Sequence, residues 1–209
     1  MKRSARAITF ALLLGGVASA AAAQPPELIE RTMAIVGGQA VTLSDARAAI
    51  TFKLVDVGGS VAPEQTATAR LIDRELMLRE VRRYAPPAPT EAAIDARLGE
   101  IRTGFSAASF ARALEISGLT EARLRAWVRD DLRTQAYLAQ RFVSASTPSD
   151  VEIAGAYAQQ KEAFDRAGTT LVLAAPVLRE RLIASRRREL IADWVADLRR
   201  RTDVILLAQ

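Results

Sequence analysis

The chain contains no histidine and no cysteine. Without cysteine there is no disulfide framework and no thiol nucleophile. Without histidine the commonest general base, the commonest metal ligand and the usual proton switch near neutral pH are gone. Ser-His and Cys-His arrangements are thereby excluded, and only chemistry run by carboxylates, Lys or Tyr is left. An excess of one charge is lacking too. The net charge is +5, and removing the basic leader residues Lys2, Arg3 and Arg6 takes it to +2. Arg186-Arg187-Arg188 and Arg199-Arg200-Arg201 are short runs within helical text, interleaved with Glu and Asp. They read as solvated helix faces, so nucleic acid is not an expected partner. No repeated unit and no low-complexity tract occurs outside the leader.

What is present begins with that leader. Behind its basic residues, "AITFALLLGGVASA" is an apolar core of the length of a secretory signal, short and wrongly flanked for a membrane span. Ala18-Ser19-Ala20 and Ala21-Ala22-Ala23 are small-residue cleavage patterns, and a cut before Gln24 leaves 186 of the 209 residues. An uncleaved anchor is the alternative, disfavoured because Gly15 and Gly16 interrupt the apolar run. The expected organisation is a signal peptide over residues 1–23 and a single domain over residues 24–209, with no stable membrane insertion after cleavage.

Beyond the linker at Pro25-Pro26, Met33–Val36 and Ala40–Leu43 read as the arms of a hairpin, with Gly37-Gly38-Gln39 at its turn. Ser44 is the expected N-cap of a helix running to about Val55. Pro63 suits the first turn of a helix over about 64–84, whose apolar residues occupy more than one face. Leu71, Leu78 and Val81 lie on one side, Ile72 and Leu76 on another, which predicts a central helix with several neighbours. Thr90 caps a helix carrying Ile94, Leu98, Ile101 and Phe105. A shorter helix over about 107–117 ends at Gly118. Thr120 caps a long helix to about Phe142, with Leu124, Val128, Leu132, Leu138 and Phe142 on one face and Trp127 at its margin. Asp131 and Gln135 fall within that face, as a paired buried polar group would. Thr147-Pro148-Ser149-Asp150 starts a helix to about Phe164, and "DRAGTTLVLAA" connects it to a final helix opened by Pro176. The buried face of that helix is Ile183, Leu190, Ile191, Trp194 and Leu198.

The tail "DVILLA", Asp203–Ala208, reads as a strand. A two-strand hairpin is marginal alone and its edges invite pairing. The economical arrangement pairs this tail with one hairpin arm, so that the chain ends meet. The expected fold class is therefore mainly α: about six helices, with a small β-sheet formed by the N-terminal hairpin and the C-terminal strand. The closing helix and strand cover residues 176–208.

The order "IVGGQAVTLSDARAAI", "RLIDRELMLREV", "PTEAAIDARLGEI", "FARALEISGLTEARLRAWVRDDLRTQAYLAQRF", "TPSDVEIAGAYAQQKEAF" resembles the N-terminal module of SurA-type periplasmic chaperones, a SurA/trigger-factor peptide-binding-like fold. "PVLRERLIASRRRELIADWVADLRRRTDVILL" resembles the helix and strand that close that fold. The likeness spans nearly all of the chain after the leader, through helix and turn patterns whose order carries the specificity. It implies a periplasmic location and a holdase for unfolded envelope polypeptides, outer-membrane β-barrel precursors among them. The chain departs from the family between Phe164 and Pro176, where parvulin-type prolyl isomerase domains usually sit. Asp165–Ala175 is far too short for a domain of roughly a hundred residues. Parvulin sites also typically use histidine, so the resemblance does not extend to an enzyme, and no cofactor or metal is expected.

Such a holder needs adaptable apolar side chains open to a client. Met77, Phe105, Phe110, Trp127 and Tyr137 are the candidates for peptide binding. Phe105 and Phe110 flank a helix break, and Tyr137 lies off the apolar face of its helix; the same residues would also serve an ordinary core. Two other readings stay open. One is an adaptor subunit with one fixed envelope partner. The other is an enzyme, a prolyl isomerase by family likeness or one using carboxylates, for which Asp130-Asp131 is the only paired-acid site. Adjacent acids on a helix point about 100° apart, which suits shared catalysis poorly.

Overall fold

The computed structural model describes residues 30–207. The signal peptide and linker read from the sequence lie outside the described residues. Within them the chain is mainly helical, with three strands forming one sheet in the order β2-β1-β3. Strands β1 (Thr32–Val36) and β2 (Gln39–Thr42) form the expected hairpin. Gly37 and Gly38 make its turn at φ +52° and +88°, the left-handed geometry a two-residue hairpin turn requires. Arg79 closes over that turn and donates to the Gly37 carbonyl at 2.6 Å. A side chain at Gly37 would collide with the same guanidinium.

Strand β3 (Val204–Leu206) pairs antiparallel with β1, setting Ala34 opposite Leu206, Ile35 opposite Ile205 and Val36 opposite Val204. Bonds from Gly37 N–H to the Asp203 carbonyl (2.8 Å) and from Leu207 N–H to the Met33 carbonyl (3.0 Å) extend the ladder at both ends. The two ends of the described chain thus meet in one sheet, and the middle strand is the one that starts it.

The helices are α1 (Leu43–Thr51), α2 (Pro63–Tyr84), α3 (Glu91–Arg102), α4 (Ala107–Ser117), α5 (Glu121–Arg141), α6 (Val143–Ser146), α7 (Asp150–Gln159), α8 (Lys161–Arg166) and α9 (Leu171–Arg201). Four boundaries fall where the sequence places them, whereas α3 stops at Arg102, before the Phe105 that the sequence reading carries on it. Pro63 opens α2, Thr90 and Thr120 cap α3 and α5, and Gly118 ends α4 at φ +63°. The sequence reading counts about six helices; the described residues hold nine helical segments. Two of the extra segments arise because α6 is a single short turn and Gln160 splits α7 from α8.

Three helix starts differ from expectation. Thr42, not Ser44, caps α1: its hydroxyl accepts from Asp45 N–H (3.2 Å) while the Asp45 carboxylate accepts from Thr42 N–H (3.3 Å). The strand therefore runs straight into the helix, and Ser44 instead donates to Glu30. Helix α1 also stops at Thr51, short of Val55, because Lys53 adopts φ +51° and folds the chain back. Ser149, not Thr147, caps α7, in a reciprocal box with Glu152. The Ser149 backbone N–H, with Arg186, holds the Glu152 carboxyl down to about 2. Pro176 does not open the last helix; α9 begins at Leu171 and carries the proline inside. The proline lacks the N–H that would bond the Val172 carbonyl, and Val172 is 80% exposed.

Helix α2 is the hub. Its Ala67, Leu71, Ile72, Leu76 and Val81 share the largest core with Ala34, Val36 and Val41 of the sheet, Trp127 and Tyr137 of α5, and Trp194, Val195 and Leu198 of α9. A second core joins Ala48 and Phe52 to Ile94, Leu98 and Ile101 of α3 and to Leu124 and Val128 of α5. Helix α7 packs on the first third of α9 through a separate small core of Ile153, Ala174 and Leu178. At 31 residues, α9 is about 46 Å long and links this outlying core to the main one. Of its expected buried face, Trp194 and Leu198 are buried, while Ile183, Leu190 and Ile191 are half-buried.

Deleting Asp203 onward strips the ladder from β1 and uncovers its edge. At about 1 kcal/mol for each backbone bond, a chain ending at Thr202 is expected to lose roughly 2–4 kcal/mol in urea unfolding, with its helical circular dichroism retained below the transition. An unchanged midpoint would mean that β3 contributes nothing to the fold.

Candidate functional site

A groove opens where β2, α2 and α5 meet. Gln39, Ala40 and Val41 of β2 form one bank. Leu71, Arg74, Glu75 and Arg82 line it from α2, and Arg123, Ala126, Trp127 and Asp130 from α5. Both helix sets recur at three-, four- and seven-residue spacing, so each is one stripe of a helix. The opening of about 250 Å³ falls just below the roughly 300–1,000 Å³ typical of small-molecule pockets. It is an open trough beside a strand and does not enclose a compact ligand.

Its electrostatics are internally balanced. Arg74 meets Asp131 at 2.7 Å, Arg82 meets Glu75 at 3.2 Å and Asp130 at 4.0 Å, and Arg123 meets Asp45 at 3.1 Å. The Arg74 guanidinium also lies 4.7 Å over the Trp127 ring and donates to the Trp127 carbonyl. Trp127 is nine-tenths buried, with its indole N–H lacking an acceptor. These contacts hold the walls rigid and leave no net charge facing the trough.

Of the five residues proposed from sequence for peptide binding, Trp127 alone lines this groove. Phe105 and Phe110 close a three-ring cluster with the fully buried Phe52, all centroids 5.6–5.8 Å apart. Met77 is half-buried against the main core. Tyr137, expected off the apolar face, is instead buried, stacked on Tyr84 at 5.7 Å and tilted against Trp194 at 6.0 Å. The second tryptophan of the chain, far along the sequence, supplies the wall that α5 alone does not show. The candidates therefore belong to separate clusters and do not line one cradle.

The two adjacent acids of α5 diverge as helix geometry requires. Asp130 faces the groove, whereas Asp131 borders a separate cleft with Leu54, Arg97, Val128, Leu132 and Gln135. The reading of Asp131 as a paired polar group agrees with its bond to Arg74, while Gln135 is exposed. Sequence reasoning passed over Asp45, Arg74, Glu75, Arg82 and Arg123 because charged residues on amphipathic helices read as solvent face. Their shared spacing was the available signal. Among the described residues no cluster of His, Cys, Asp and Glu could hold a metal ion, and no helix is long and apolar enough to cross a membrane.

Compared with known proteins, the chain matches no protein-family model and no curated protein sequence.

Burial pushes the Asp131 carboxyl above its usual range, and the attraction of Arg74 offsets this only in part. A native value above the unfolded one means that the ionised group costs stability, and the cost vanishes as pH falls through the raised value. Asp131→Asn keeps an oxygen for Arg74 without the charge. Relative to the parent, this variant is expected to gain stability as pH rises from about 4 to 7. Urea unfolding at both pH values reads the difference; a gain toward acid pH would contradict it.

Proposed function

We propose that the protein is a periplasmic holdase that binds unfolded envelope polypeptides, such as outer-membrane β-barrel precursors, in extended form. The carrying observation is the groove, which sets a free strand edge at Gln39–Val41 beside an apolar floor of Leu71, Ala126 and Trp127. Backbone edges suit an extended chain whatever its sequence, because the main-chain groups are the same at each residue. Barrel precursors alternate apolar and polar residues and so match a surface that combines a floor with a polar rim.

Two further features support the reading. At the start of α9, Val172, Leu173 and Val177 are 80%, 67% and 54% exposed, an apolar surface of the kind that contacts other proteins. The join of β1 to β3 agrees with the topology implied by the likeness to SurA-type chaperones. In that likeness the isomerase module is missing: residues 161–166 form α8 and α9 begins at Leu171, which leaves a tight turn where such a domain would sit. The secretory leader expected over residues 1–23 directs the chain to the compartment where these clients occur.

The test uses several unrelated outer-membrane proteins denatured in urea and diluted into buffer with or without this chain. Light scattering is expected to fall for all of them at near-equimolar chain. Protection of a single partner would replace the holdase with an adaptor, and protection of none would remove the reading. Acceleration of X-Pro isomerisation in a model peptide would reinstate the enzyme.

A further inference from the structure

We infer that the outer edge of β2 takes an extended, uncharged polypeptide segment as a fourth strand, with Ala40 as the residue that bonds it. This rests on the polypeptide-holding reading and states how the groove would grip.

The ladder fixes which backbone groups are free. Antiparallel strands bond through alternate residues. On β1, Gly37 and Met33 bond toward β3, so Ile35 between them also faces β3. Ala34 and Val36 then face β2, pairing with Val41 and Gln39. Ala40, opposite Ile35, must turn both its N–H and its carbonyl away from β1. Ala40 is exposed and borders the groove. The next outward amide, on Thr42, is already taken by the Asp45 carboxylate. The edge thus offers a two-bond contact at one residue, enough to align a chain and too little to trap it.

The charges of the groove walls identify the occupant. The groove walls set Arg74, Arg82 and Arg123 against Asp45, Glu75 and Asp130, with each guanidinium paired. An incoming charge would break a pair or remain unpaired, so the segment that fits is uncharged where it lies between them. The opposite edge differs. Val204 and Leu206 of β3 also turn backbone groups outward, and Leu206 is 70% exposed, but neither residue lines the groove.

Proline distinguishes the edges, because at an outward-facing position it removes one amide without touching the ladder. The probe is a fluorescein-labelled peptide of sequence Gly-Val-Thr-Val-Ser-Val-Thr-Gly with blocked ends, read by anisotropy against the full chain. Ala40→Pro is expected to weaken binding about fivefold or more, the scale of one backbone hydrogen bond, and Leu206→Pro to leave it unchanged. Circular dichroism and the unfolding midpoint check that both variants fold. A peptide N-methylated at alternate residues, tested on the unaltered chain, is expected to lose binding even if Ala40→Pro proves unstable.

The reverse pattern, with Leu206→Pro harmful and Ala40→Pro silent, would place the strand on β3 and overturn the inference. So would a dimer dissociated by Ala40→Pro, or tighter peptide binding after deletion of the residues before Glu30, since either would assign the edge to another occupant. If neither proline nor N-methylation matters while denatured precursors are still held, strand addition fails and the holdase survives. If the parent holds neither peptide nor precursors, the holdase itself fails.

Discussion

The pairing of Thr32–Val36 with Val204–Leu206 is the constraint on which the rest of the structure depends. It makes β1 the central strand, anchors the end of α9 beside its beginning, and brings Trp194 and Leu198 onto α2 and α5. With the third strand in place, β1 is bonded on both sides and the exposed edges fall to β2 and β3. The sheet is small, but it decides which backbone groups are open and which face of α2 is left to line the groove.

Around that sheet, polar contacts and apolar packing divide the work. Apolar packing sets the positions of the helices, since Ala34, Ala46, Ala49 and Ala67 have no exposed surface and let elements approach closely. Ion pairs across the groove then set its walls. Exposed pairs contribute little to stability; their consequence here is the arrangement of charge, with each guanidinium satisfied before anything binds. Arg74 joins both kinds of contact, stacking on Trp127 while bonding Asp131.

Most of the fold was legible in the sequence because its signals are local or terminal. Pro63, Thr90, Gly118 and Thr120 mark helix boundaries by their own backbone or side-chain chemistry, and the Gly37-Gly38 turn does the same for the hairpin. The pairing of the tail followed from there being one other strand-like segment. The misplaced starts at Ser44 and Thr147 share a cause: a second capping residue lies two positions away, and Thr42 and Ser149 each close a reciprocal box with the acid three residues on; Pro176 misled differently, because the helix had already begun five residues earlier at Leu171. The site was much less legible. Tyr137 is buried because Tyr84 of α2 and Trp194 of α9, both distant in sequence, pack against it. Phe105 and Phe110 are drawn together by Phe52 of another segment. The groove itself needs α2 and α5 side by side, and nothing in either stripe of charges announces its partner.

The separation of Ile35 from Ile205 along the chain also governs assembly. The hairpin can form as soon as its few residues emerge, yet the strand that completes the sheet is synthesised 170 residues later. Contacts so distant in sequence form slowly. Until then the inner strand presents its own vacant ladder, and a nascent chain meets the aggregation hazard that the finished sheet removes. Vectorial emergence from the ribosome would therefore end, and not begin, with the closure that fixes the native topology.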